Sequence, residues 1–273
     1  MDRNVASTLP LPARVWQRPR LCKNAWLRWG LTLAAAAYLV LAVGGLDINW
    51  ARVSEGLVRA ARLFAGFLQP DFNSRWDDIR QGLIESLTMT VCATVFGLVL
   101  ALPIGLGAAR NIAPLWLYGI CRSIIALARA FQEIIVAILF VAMFGFGTFA
   151  GFLTLSLSTI GFLSKLIAED IEEIDPAQVE AIRATGGGFW QVMDYAVASQ
   201  IMQRFVGLTA YKVDINFRES SVIGIVGAGG IGATLNTALD RYEFDSAAAI
   251  LLIIIGIVML CEYASGWIRK AMA

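Results

Sequence analysis

The sequence predicts an all-α, polytopic membrane protein with about six transmembrane helices. Three observations predict it. Hydrophobic residues fill 58% of the 273 positions and charged residues only 16%, where an average soluble domain carries about 25% charge. Mean hydropathy is +0.68. Charge-free apolar runs recur along the chain, and several are long enough to cross a bilayer.

The first element is a basic tail, residues 1–28, with Arg14, Arg18, Arg20, Lys23 and Arg28. The apolar run Trp29–Leu46 follows it. It lacks a convincing small-x-small cleavage site and more apolar runs follow, so it reads as a retained first span. Positive charge marks the cytoplasmic side, which places the tail inside.

Residues 47–80 form an extracytoplasmic segment of balanced charge. Trp50, Val53, Leu57, Ala61, Phe64 and Leu68 recur at helical spacing, with Arg52, Glu55, Arg59 and Arg62 between them. That pattern predicts a helix lying in the outer interface, or equally one packed on the outer face of its own spans.

Residues 81–273 form the core. Ser86–Ala109 is free of charge and spans. The interval Arg110–Arg129 is mixed, interrupted by Arg122. Ile134–Ser164 is free of charge and long for one helix. The break Gly145-Phe146-Gly147-Thr148 divides it into two crossings, Ile134–Phe144 and Phe149–Leu166. Lys165–Asp194 is charged and returns to the cytoplasm. Ala196–Val226 is an interrupted fifth span, and Ala247–Trp267 a last one that tolerates Glu262. Arg269-Lys270 then puts the C-terminus inside as well.

Composition also excludes. There is no histidine, which removes the commonest general base and metal ligand. Cys22, Cys92, Cys121 and Cys261 form no C-x-x-C pair, and packing is their expected role. No metal site is expected. The net charge of +1 carries no basic surplus for nucleic acid. No lysine follows a glycine, so no G-x-x-x-x-G-K-[ST] phosphate loop exists. A membrane-embedded enzyme has no nucleophile elbow or metal cluster to support it.

One motif points elsewhere. In GIVGAGGIGATL, residues 224–235, Gly227, Gly229 and Gly232 fit the dinucleotide fingerprint G-x-G-x-x-G, and Asp245 follows at a suitable distance. That fingerprint needs a strand before it and a parallel sheet around it. The flanking sequence offers helices. In a membrane, glycines let helices approach closely or unwind. Gly227, Gly229, Gly230 and Gly232 are therefore expected to mark a helix break or gate near the outer end of the fifth span.

The charged interval 175–194 reads DPAQVEAIRATGGGFWQVMD. Asp175 can cap a helix that Pro176 begins. Gly186-Gly187-Gly188 can end it. A short capped helix between two spans is either a docking element or a plain hairpin. Here a resemblance enters. Glu180-Ala181 followed by Gly186 resembles the "EAA---G" loop of ABC importer permeases. QPDF (69–72), VAMFGFGTFAGFLTL (141–155), STIGFLSKLIAEDIEEIDP (158–176) and INFRESSVIGIVGAGGIG (215–232) narrow it to the phosphonate-importer, PhnE-type permeases. The chain departs from that family at Ala198-Ser199, where Leu-Pro is usual, and at Gln132, where proline is usual.

The resemblance implies a type I, MetI-like ABC permease fold in a bacterial inner membrane. It implies a homodimer of this chain, two separate ATP-binding subunits carrying ATP and Mg, and an extracytoplasmic substrate-binding protein. The carried anion would be phosphonate, phosphite, hypophosphite or phosphate. Glu180, Ala181, Arg183 and Gly186 would form the coupling loop. Asn216, Arg218, Ser220, Ser221 and Glu133 are the candidate pathway residues. For Arg218 an ion pair with Asp214 or Glu133 is the competing role. The alternative function is a stand-alone channel or secondary transporter of small anions, which an inverted repeat would favour.

Overall fold

A computed structural model describes residues 25–45 and 49–272. The basic tail with Arg14, Arg18, Arg20, Lys23 and Cys22 lies outside the described residues, as do residues 46–48. Every regular element among the described residues is helical. The chain divides into two compact units, residues 1–59 and 60–273.

The first unit holds α1 (Ala25–Gly44) and the start of α2 (Trp50–Phe67). Every described side chain of α1 is exposed, tryptophans and leucines included. A helix that is apolar all round and unburied has the character of a lipid-facing span.

The second unit begins before residue 81, the expected start of the core. The reason is local. The backbone N–H of Asp71 donates to the Asp245 carbonyl at 3.2 Å. A Cβ added to Gly66 would lie 2.8 Å from the Cβ of Phe244. Asp71 builds the turn between them. Its carboxylate accepts from the Ser74 hydroxyl and from the N–H groups of Asn73 and Ser74. Those bonds, the Ser74 hydroxyl foremost, hold its carboxyl below the usual range. Arg75 then pairs with Glu243 through Nε at 2.5 Å and Nη2 at 3.2 Å.

Among the described residues, four helices are long and apolar enough to cross a membrane: α1, α3 (Trp76–Gly107), α6 (Thr148–Glu172) and α11 (Phe244–Met272). Two bent pairs raise the number to six if each is one span. One pair is α4 (Leu115–Ala130) with α5 (Glu133–Phe144), bent by 89°. The expected crossing Ile134–Phe144 is thus corrected. α5 has 12 residues, about 18 Å, and cannot cross alone. The mixed interval before it forms α4, an otherwise apolar helix that carries Arg122 and Arg129.

The second bent pair joins the segment Phe189–Ala228 to α10 (Ile231–Asp240) at 55°. The segment comprises a single turn α8 (Phe189–Gln191), a π-wound stretch Val192–Ala198, α9 (Ser199–Ile223) and a second π turn Gly224–Ala228. The apolar runs of the sequence do not mark α10 as a separate helix. The charged sequence 175–194 contains α7 (Pro176–Ala184).

α3 and α6 form the spine. Ala93, Gly97, Ala101 and Gly105 recur every fourth residue on α3, all buried. Thr159, Ser164 and Ile167 of α6 close on that stripe, and Ser164 Oγ donates to the Ala101 carbonyl at 3.2 Å. Small residues let two backbones approach where lipid supplies no hydrophobic drive. α9 packs beside both helices. Fully buried Asn216 donates to Thr94 Oγ1 on α3 and Thr159 Oγ1 on α6, each at 2.8 Å.

Candidate functional site: a buried charged cavity, a glycine hinge and an exposed capped helix

Three places in the second unit carry chemistry. The first is α7. The Asp175 carboxylate accepts from the Ala177 N–H at 2.9 Å and Pro176 opens the helix. Gln200 of α9 accepts from the Asp175 N–H at 2.9 Å, which ties the loop to the bundle. At the other end Gly186 takes φ +80°, and a Cβ added there would meet nothing within 4 Å. Backbone conformation, then, is what demands glycine there. Glu180, Ala181, Arg183 and Gly186 are all exposed. Phe189 and Trp190 follow, their rings edge to face at 5.5 Å and both exposed. Between this loop and Asn111, Ile112 and Glu172 lies a cleft of about 570 Å³.

The second is the glycine stretch. Gly227, at φ +96°, breaks the helix, and its carbonyl accepts from the Gly147 N–H at 3.0 Å. Gly229 and Gly230 also take positive φ before α10 begins. At Gly232 the reason for glycine is contact: a Cβ would lie 2.0 Å from the Ser221 carbonyl oxygen. α10 therefore folds back against α9, backbone on backbone. Its first N–H groups are satisfied by α3: Glu85 accepts from Gly230 at 3.2 Å and Ser86 from Ile231 at 3.0 Å. The fingerprint serves a helix hairpin. The N–H groups that a pyrophosphate would need are already bonded to a carboxylate and a hydroxyl.

The third is a cavity of about 470 Å³ between the α4–α5 bend, α6 and α9. Arg129, Gln132, Glu133, Ser158, Lys212 and Glu219 supply its polar lining. Lys212 sits in the middle of α9 and is only 1% exposed. Its Nζ donates to Ser158 Oγ at 3.0 Å and lies 3.5 Å from Glu219 Oε2. Ser158 in turn donates to Glu133 Oε1 at 3.0 Å. The Lys212 ammonium also lies 5.4 Å from the centre of the Phe162 ring, within cation–π range. A charge at this depth is costly and needs partners or water.

Residues 101–273 match the family described as "Binding-protein-dependent transport system inner membrane component". This chain belongs to that family. The permease is similar to "Phosphite transport system permease protein PtxC" of Stutzerimonas stutzeri, 38% identical over 272 residues, 95% of this chain and 96% of that protein. It is also 38% identical, over 89% of its length, to "Phosphate-import permease protein PhnE" of Mycolicibacterium smegmatis. The permease spans about half of that second protein, 46% of its length. Among solved structures, the inward-facing MetNI methionine ABC transporter shares its fold, with a TM-score of 0.63 at 24% identity over 71% of this chain and 96% of that one. The permease is thus an all-α membrane protein of the type I ABC importer fold.

The sequence-selected pathway residues do not gather in one place. Glu133 lines the cavity. Asn216 is spent on the α3–α6–α9 brace. Ser220 donates to the Phe217 carbonyl within its own helix at 2.7 Å. Ser221 is buried at the Gly232 contact. Arg218, with its side chain 58% exposed, is not among the residues that line the cavity and pairs with Asp214 at 2.9 Å. Sequence reasoning misses Lys212, Glu219, Ser158 and Arg129. Two opposite charges two turns apart in an apolar span share one helix face, and that is the available signal.

Proposed function

We propose that this permease is the membrane-spanning subunit of an ATP-driven importer for a phosphorus oxyanion: phosphonate, phosphite, hypophosphite or phosphate. The observation that carries the reading is α7. It is a capped helix with no buried residue, carrying Glu180-Ala181 and closed by Gly186, in a chain 38% identical to phosphite and phosphate permeases. In this reading a second copy completes a homodimer. Two ATP-binding subunits hold ATP and Mg, and each receives one α7. A binding protein delivers the anion from outside, with loop 175–194 and both termini in the cytoplasm of a bacterial inner membrane.

Mechanically, α7 transmits force because it is anchored. Its N-cap is bonded to Gln200, so a pull on α7 reaches α9 directly. α9 carries Lys212 and ends at the glycine break. Movement of the ATPases would thus shift the cavity wall and the Gly227 hinge together, as alternating access requires.

The test is ATP hydrolysis by the complex in lipid nanodiscs, with binding protein loaded with methylphosphonate, phosphite or phosphate. Stimulation by one loaded form supports the importer and names its ligand. A complex that none of them stimulates, while the chain alone conducts anions, would establish the stand-alone channel instead.

A further inference from the structure

We propose that the cavity at the α4–α5 bend is a transit subsite that selects protonated phosphorus oxyanions over fully ionised anions such as sulfate. The proposal rests on the importer reading above and adds a selectivity element inside the permease itself.

The lining is mixed in a specific way. Arg129 and Lys212 offer cationic donors, while Glu133 and Glu219 offer anionic acceptors. An anion that fits must give acceptor oxygens to the first pair and a donor to the second. A monoprotonated phosphite, phosphate or alkylphosphonate has both a P–O⁻ and a P–OH. Sulfate has acceptors only, and would leave both carboxylates facing bare oxygen. The formal charge of the lining sums to zero, so discrimination falls to the match of donors and acceptors rather than to net charge.

Bonding capacity is left over. Glu219 Oε2 is buried with no hydrogen-bond partner, its nearest cation being Lys212 at 3.5 Å. Arg129 enters no ion pair among the described residues. Lys212 has three N–H groups, and its polar contacts are Ser158 and Glu219. A buried ion pair is a poor net stabiliser compared with apolar packing, so packing alone does not account for these charges.

The backbone agrees. Arg129 ends α4 and Glu133 begins α5 across the 89° bend. The N-terminal turn of α5 therefore opens onto the cavity, and the positive end of that helix's dipole favours an anion. Broken helices hold anionic groups this way in other transporters. Ser158 sets the polarity of the wall, accepting from Lys212 and donating to Glu133.

The experiment measures binding of radiolabelled inorganic phosphate and phosphite to the permease–ATPase complex in nanodiscs without binding protein. Unlabelled sulfate is the competitor. Phosphate and phosphite should displace each other and sulfate should displace neither. Arg129→Gln, at the cavity mouth, should weaken binding about tenfold or more, the value of a charge-assisted hydrogen bond. Glu133→Gln, whose amide can donate, should admit sulfate. Lys212→Met should abolish binding, but Arg129→Gln decides the matter because an exposed residue can change without unfolding the bundle. Equal competition by sulfate overturns the selectivity. No direct binding and unchanged import by Arg129→Gln, with normal stimulation by loaded binding protein, overturns the subsite and leaves the importer standing. Absence of stimulation by any loaded form removes the importer reading and the subsite with it.

Discussion

Lys212 and Glu219 stand two turns apart on one face of α9, with Nζ 3.5 Å from Oε2, and both point into the same cavity. Neither charge is compensated by a second strong ion pair of its own. Ser158 and, through it, Glu133 complete the set. The pair is therefore an asset only while both members are present.

The first expected outcome follows from that dependence. Lys212→Met leaves Glu219 buried beside Glu133 without its cation. Breaking one side of a buried pair costs about 3–5 kcal/mol. The double variant Lys212→Met/Glu219→Gln should recover much of that loss. Thermal unfolding of the detergent-solubilised permease measures both. Strict additivity of the two single effects would show that the pair is not coupled.

Asn216 supplies a second expectation. Its amide donates to two threonines on two helices, yet both hydroxyls already donate to carbonyls in their own helices. Asn216→Ala therefore strands no threonine donor. Interhelix hydrogen bonds in membranes average about 0.6 kcal/mol each. The variant should lose roughly 1 kcal/mol by that scale and a small cavity's worth more. Unfolding in a graded denaturing detergent gives the value. A loss of several kcal/mol would mean that the brace matters more than its bond count.

Much of the fold is legible because hydrophobic runs report spans directly. α1, α3, α6 and α11 all coincide with apolar stretches. The α4–α5 pair is harder to read, because its break falls at Phe131-Gln132, with neither glycine nor proline to mark it. The capped helix α7 is legible from Asp175-Pro176, since capping is a local rule. The cavity is not. Lys212, Ser158 and Glu133 come from three elements, and no single segment shows that their side chains converge. Arg218 draws attention because it interrupts an apolar stretch, but position along a helix does not reveal which side of it faces the bundle.

The glycine hairpin gives a third expectation. Gly232→Ala would put a methyl 2.0 Å from the Ser221 carbonyl oxygen, a contact with backbone that cannot swing away. α10 should be forced off α9, lowering the melting temperature by several degrees or abolishing assembly. Gly256→Ala on α11 is the control, because nothing lies within 4 Å of its Cβ position. Differential scanning fluorimetry on the purified pair separates them. Equal melting temperatures would show that the α9–α10 approach is looser than the structure has it.

The last expectation concerns α7 and tests coupling separately from folding. Gly186 has room for a side chain but a left-handed φ of +80°. Gly186→Ala should thus cost about 1 kcal/mol of local strain and leave the bundle intact. Gly186→Pro forbids that φ outright and should redirect the chain after α7. Glu180→Lys changes only an exposed charge. In the importer reading, Gly186→Pro and Glu180→Lys reach the membrane at normal levels yet lose ATP-driven transport, while Gly186→Ala retains most of it. Transport assays in proteoliposomes beside membrane quantification measure the two quantities. Full transport by Glu180→Lys and Gly186→Pro would show that the ATPase docks elsewhere on the permease.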